Sequence, residues 1–129
     1  GASGGNIYNA STDFYWNPSE GLIHAPGMTA TGDITAANFN STSDSSLKEN
    51  VQTITRALDK VTQLRGVNFD WIDSGKSATG VIAQEIEAVL PEVVSEDDDG
   101  IKHVAYGNVV GVLIEAIKEL KAEIEDLKK

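Results

Sequence analysis

Residues 106–129 carry a heptad row that limits what this chain can be. Val110, Ile117 and Ile124 recur at one seam position, and Leu113, Leu120 and Leu127 at the other. Such a stripe marks a long coiled-coil helix that wants partner helices, although a helix packed on its own domain can show the same stripe. Ile114 widens the stripe near the helix start, where the helix is expected to meet the domain body. Glu123 and Lys128 fall at g and the following e, positions that pair between helices. Isoleucine at a with leucine at d favours two strands, so the row calls for partners without fixing their number at three.

The other end of the chain has a different character. Residues 1–42 contain no Lys or Arg, and all 10 basic residues come later. Residues 6–40 are rich in Gly, Ala, Ser, Thr and Asn, with scattered single hydrophobics such as Ile7, Tyr8, Phe14, Tyr15, Trp16, Leu22 and Ile23. Short β pieces split at Asn17-Pro18 and Pro26-Gly27 are expected, with a weakly alternating strand over residues 32–39. So sparse a segment cannot bury a core alone and fits a fibrous stalk in which several chains share one. A flexible linker is the plainer alternative, against which the Phe14-Tyr15-Trp16 cluster argues. The opening Gly1-Ala2-Ser3-Gly4-Gly5 reads as the edge of a piece of a larger protein, with no secretory leader.

Between these ends lies a small mixed domain. Ile54, Ala57, Leu58, Val61 and Leu64 have helical spacing, with Gly66 expected as a left-handed cap. Val67, Phe69 and Trp71 alternate and should share one face of a strand, followed by turn chemistry at residues 73–77. Residues 80–91 read as a short strand running into a helix stopped by Pro91. Residues 92–95 and 101–104 should form a hairpin around Asp99-Gly100. The fold class is therefore α+β: short strands and helices, a long C-terminal helix, and a fibrous β stalk end in front.

Composition removes several functions. A formal charge of −10 opposes nucleic-acid binding. No apolar run approaches the roughly 20 residues of a membrane span. Zero cysteines exclude disulfides and thiolate metal sites. The acidic run Glu96 to Asp99 fails as a calcium loop, because the twelfth position is Tyr106, and a solvated hairpin tip suits it better. His24 and His103 lack a second ligand at metal spacing, and Gly75-Lys76-Ser77 lacks the upstream glycine of a phosphate loop. No cofactor is evident.

The pair with possible chemistry is Ser43 and Lys48. A serine hydroxyl is a weak nucleophile until a base takes its proton, and a lysine can act as that base once its proton is made labile. In a serine-rich run the spacing carries little weight, and on spacing alone an N-cap region in which Ser43, Asp44 or Ser46 caps a short turn is the plainer reading.

Taken together, Ser43-Asp44-x-x-Leu47-Lys48-x-Asn50-Val51, Ala57-Leu58, and Leu64-x-Gly66-Val67-x-Phe69-x-Trp71 form an ordered set. It continues through Gly80-Val81-Ile82-Ala83-Gln84-Glu85, Leu90-Pro91-Glu92-Val93-Val94, Tyr106, and Leu113-Ile114-Glu115-Ala116-Ile117-Lys118-Glu119-Leu120. The set resembles the intramolecular chaperone domain that ends phage tail spikes, tail fibres and neck appendages, the peptidase S74 family. The resemblance covers residues 43–129 and makes residues 1–42 the end of the stalk. It implies a homotrimer that folds the stalk of its own polypeptide and then cuts itself off. It makes Ser43 the nucleophile, Lys48 the general base and Thr42–Ser43 the scissile bond. Asn50, Gln84 and Glu85 lie in its strongest pieces as candidate orienting residues, with structural roles equally open. The location it implies is a virion tail or appendage precursor, made in the host cytoplasm and shedding this domain after cleavage. A trimerisation and attachment module that never cleaves is the alternative, and a receptor-binding tip using Tyr15 and Trp16 is a third reading.

Overall fold

A computed structural model describes residues 14–129. The expectations that rest on residues 1–13, including Ile7 and Tyr8, lie outside the described residues. The chain forms two compact units, one ending at Asp44 and the other spanning Ser45–Lys129.

In the first unit, β1 (Tyr15–Asn17) pairs antiparallel with β2 (Leu22–His24), placing Tyr15 opposite His24 and Asn17 opposite Leu22. The turn falls where Asn17-Pro18 ends the first strand. Gly21, at φ 70°, donates its N–H to the Asn17 carbonyl at 2.9 Å, a backbone geometry that glycine adopts without strain. Tyr15 and His24 stack with centroids 4.7 Å apart, and His24 Nε2 lies 2.8 Å from Glu20 Oε2. Trp16, Ile23, Met28, Ile34 and Phe39 are all exposed. The strand expected over residues 32–39 is not formed. A strand needs a neighbour to take its backbone bonds, and the side chains here are too sparse to hold one.

The second unit is a small mixed α/β fold built beside one long helix. α1 (Ala57–Val61) lies against α3 (Val110–Leu127), and α2 (Ala83–Glu87) closes the core from the side of β6 (Lys102–Val104). Ala57, Ile86, Leu90, Val112 and Ala116 are buried together, with Leu58, Val61, Val89 and Val109 half-buried around them. The two alanines let α1 and α3 approach closely. Glu119 Oε2 then accepts the Leu58 N–H at 2.6 Å, so a carboxylate on α3 satisfies a donor in the first turn of α1.

α1 is shorter than the apolar spacing predicts. Arg56, before its first residue, sits in the left-handed region at φ 54°, and Ile54 therefore lies outside the helix, though its Cδ1 still packs over Gly111. The preceding Thr53, Ile54 and Thr55 are β-branched, which weakens helix propagation. Gly66 does not have a positive φ, because the helix has already ended at Thr62.

β3 (Val67–Asp70) pairs antiparallel with β4 (Ser77–Gly80), and Val67 and Phe69 are its inward residues, as the alternation predicts. The Phe69 and Trp71 rings meet edge-on at 5.1 Å. The strand expected to begin at Gly80 ends there instead, since its backbone partners are Val67 to Asp70. α2 follows, and Pro91 opens a 3-10 turn, Pro91–Val93, that takes Glu92 and Val93 out of the expected hairpin. The hairpin is β5 (Val94–Glu96) with β6. Asp97 Oδ1 closes its turn by accepting the N–H groups of Asp99 and Ile101, and Gly100 supplies φ 79°. A further 3-10 turn, Tyr106–Val109, leads into α3.

Candidate functional site

Thr42 and Ser43 lie in exposed, irregular chain at the end of the first unit, and Lys48 begins the second unit's run toward α1. Ser45–Leu47 is a 3-10 turn closed by the Lys48 N–H on the Ser45 carbonyl at 3.1 Å, and Lys48 is exposed immediately after it. Asn50 has φ 53°, a left-handed conformation that asparagine tolerates better than most residues, so the chain changes direction two residues beyond Lys48. Asn50 is thus a backbone-turning residue, and its side chain is exposed.

Gln84 and Glu85 are neighbours on α2 and project about 100° apart, as successive helical residues must. Gln84 lines a cleft of about 640 Å³ together with Phe69, Trp71, His103 and Tyr106. Glu85 takes the Arg65 guanidinium at 2.8 Å, while its Oε2 is buried without a hydrogen-bond partner. The pair links α2 to the segment entering β3.

Behind the cleft, the Val81 N–H donates to the Tyr106 hydroxyl at 3.1 Å. A Cβ on Gly80 would stand 2.5 Å from that hydroxyl, so glycine permits the approach. At the other rim, Lys102 Nζ reaches Glu87 at 2.9 Å and Glu96 at 3.4 Å. Its bond to Glu87, followed by that to Glu96, raises the Lys102 pKa above its usual 10.5. His103 Nε2 lies 3.0 Å from Asp97 Oδ2, and that bond, with the backbone donor of Ile101, holds the Asp97 carboxyl below its usual 3.8. The two histidines thus each face a carboxylate.

The seam residues all lie along α3. Val112 and Ala116 are buried against α1, at 2% and 4% exposure. On the other side Val110, Leu113, Ile117, Leu120, Ile124 and Leu127 are exposed, from 41% at Leu113 to 86% at Leu127. The helix therefore has two apolar faces, one used by its own domain and one open. The Glu119 cap and the Arg65–Glu85 pair were not anticipated. Glu119 could have been noticed as a carboxylate on the inner helical face, at i+3 from Ala116.

Residues 43–95 match the family described as Chaperone of endosialidase. The chain is 35% identical over 105 residues to Long tail fiber protein Gp37 of Enterobacteria phage K3, covering 74% of this chain and 8% of that protein. Against the protein of that name in Enterobacteria phage M1 it is 32% identical over 130 residues, covering 93% of this chain and 49% of the relative. For Salmonella phage S16 the values are 29% over 109 residues, 76% and 15%. The chain thus spans at most about half the length of these relatives. No helix among the described residues is long and apolar enough to cross a membrane. Residues 43–95, then, carry the chaperone-of-endosialidase match, and together with the tail fibre relatives this supports a phage tail fibre C-terminal chaperone domain.

Proposed function

We propose that residues 43–129 assemble as a homotrimer, fold the preceding fibre stalk of the same polypeptide, and then release themselves by autoproteolysis at Thr42–Ser43. The observation that carries this reading is the two-faced α3, whose row from Val110 to Leu127 is apolar yet open while Val112 and Ala116 already serve the domain core. A helix with its inner face satisfied gains further burial only from other chains. Aligning three sparse stalk segments in register carries a large entropic cost, and an early-forming helical bundle meets it first.

In the cleavage step, Lys48 Nζ takes the proton of Ser43 Oγ as the oxygen attacks the Thr42 carbonyl carbon. The Thr42–Ser43 C–N bond breaks, the proton passes to the departing Ser43 amine, and an ester joins the two residues. Water hydrolyses that ester to a Thr42 carboxylate and a free Ser43 hydroxyl. The family match supports self-cleavage in general, and the two residue roles are carried by the Ser43-Asp44-x-x-Leu47-Lys48 motif. Once the chaperone has left, the stalk has lost its folding partner and is kinetically trapped. The stalk product belongs to a virion tail.

The test is intact mass under denaturing conditions, comparing the unaltered chain with Ser43→Ala. Fragments 1–42 and 43–129, present only with the native serine, are the expected result. A single uncut mass from a preparation that sediments as a trimer would instead establish a permanent trimerisation module.

A further inference from the structure

The turn joining β3 to β4 is tightly closed. Trp71 donates its N–H to the Lys76 carbonyl at 2.9 Å, and Gly75, at φ 70°, donates to the Trp71 carbonyl at 2.7 Å. At the tip of this well-defined turn Ile72 is 100% exposed, with Trp71 exposed beside it and Asp73 and Lys76 on its flanks. A branched aliphatic side chain held fully in water on a fixed turn is shaped as a knob.

The same unit contains a matching hole. A cavity of about 350 Å³ has Ile54, Leu90, Val93 and Val112 as its apolar walls and Lys60 and Glu92 among its lining residues. It exceeds the ~150 Å³ that accommodates a benzene ring, so an isoleucine side chain fits. Among the described residues, Asp73, Lys76, Lys60 and Glu92 make no ion pair within the chain. Knob and hole also lie at one end of the long helix: Tyr106 lines the cleft beside Trp71, while Asn108 and Val112 line the cavity.

We infer that Ile72 of each protomer inserts into this cavity of its neighbour, with Asp73 facing Lys60 and Lys76 facing Glu92. The inference rests on the homotrimer reading. Each chain carries one knob and one complementary hole, so the contact is head-to-tail, and three copies close it into a ring without leaving either surface unused. The opposed charges set the orientation of insertion and disfavour the reversed one.

The experiment uses the full chain, which has 0 cysteines and so gives a clean background. Asp73→Cys and Lys60→Cys are introduced together, and the protein is treated with a short bismaleimide after its mass in solution has been measured by sedimentation. A ladder ending at three linked chains, lost when Ile72→Asp is added, is the expected result. Asp73→Lys alone should raise the concentration for half-assembly about tenfold, and adding Lys60→Asp should recover most of it. A trimer that yields no inter-chain ladder overturns the knob-and-hole contact and leaves the trimer standing. A monomer under the same conditions overturns both.

Discussion

Ile86 is the largest side chain buried almost completely, at 1% exposure, and it joins α2 to the α1–α3 pair. Truncation there leaves a cavity that these short elements cannot collapse around. Ile86→Ala should cost about 2–5 kcal/mol and Ile86→Val about 0.5–1.5 kcal/mol, read from chemical denaturation of the second unit. Gly80 is sensitive for the opposite reason: a methyl group there meets the Tyr106 hydroxyl at 2.5 Å. Gly80→Ala should destabilise by about 1–3 kcal/mol, and pairing it with Tyr106→Phe should recover part of that loss. If the two changes are simply additive, the hydroxyl is not the obstacle. The glycine was readable in the sequence only as part of a motif. Its partner lies 26 residues further on and could be identified only from the folded chain.

At the scale of elements, the β5–β6 hairpin is held by two titrating groups of opposite sign. The Asp97 pKa is depressed, so its contribution is present above 3.8 and is lost as pH falls through the lower folded value. The Lys102 pKa is raised, so its contribution is full below 10.5 and is lost as pH rises through the higher folded value. Amide exchange at Asp99 and Ile101 should therefore speed up beyond the intrinsic pH dependence on acidification below about pH 4. Asp97→Asn keeps an acceptor and should remove that acid limb. The turn itself was legible, because Asp99-Gly100 names it and Gly100 adopts the expected positive φ. The extent of α1 was not, since apolar spacing at Ile54 and Leu64 does not reveal that Arg56 takes φ 54°. Nor was the absence of a strand over residues 32–39, because weak alternation describes a face and says nothing about a neighbour to pair with. The heptad row was legible as a stripe, and on α3 its residues are exposed in the single chain. Ile117→Gln with Leu120→Gln should abolish self-association while leaving the far-ultraviolet circular dichroism of the unit unchanged, because neither side chain is buried in the single chain.

At the scale of the whole molecule, assembly and cutting should be coupled. If assembly completes the relation between Ser43 and Lys48, the Ile117→Gln, Leu120→Gln chain should accumulate uncut, with intact mass measured against time. Efficient cleavage by a chain that sediments as a monomer would sink that coupling. The two faces of α3 also make the helix sensitive to phase. Gly111, Val112, Ala116 and Glu119 address the domain, while the row from Val110 to Leu127 addresses whatever lies outside. A substitution can damage one address and spare the other. The effect of an inserted residue depends on where it falls, because it turns everything beyond it by about 100°. Placed between Glu123 and Ile124, one extra alanine would leave the domain's grip intact and swing Ile124 and Leu127 out of the row. Placed before Val110, it would corrupt both readings together. Length here is information in its own right, and this helix should tolerate many spellings but few changes of count.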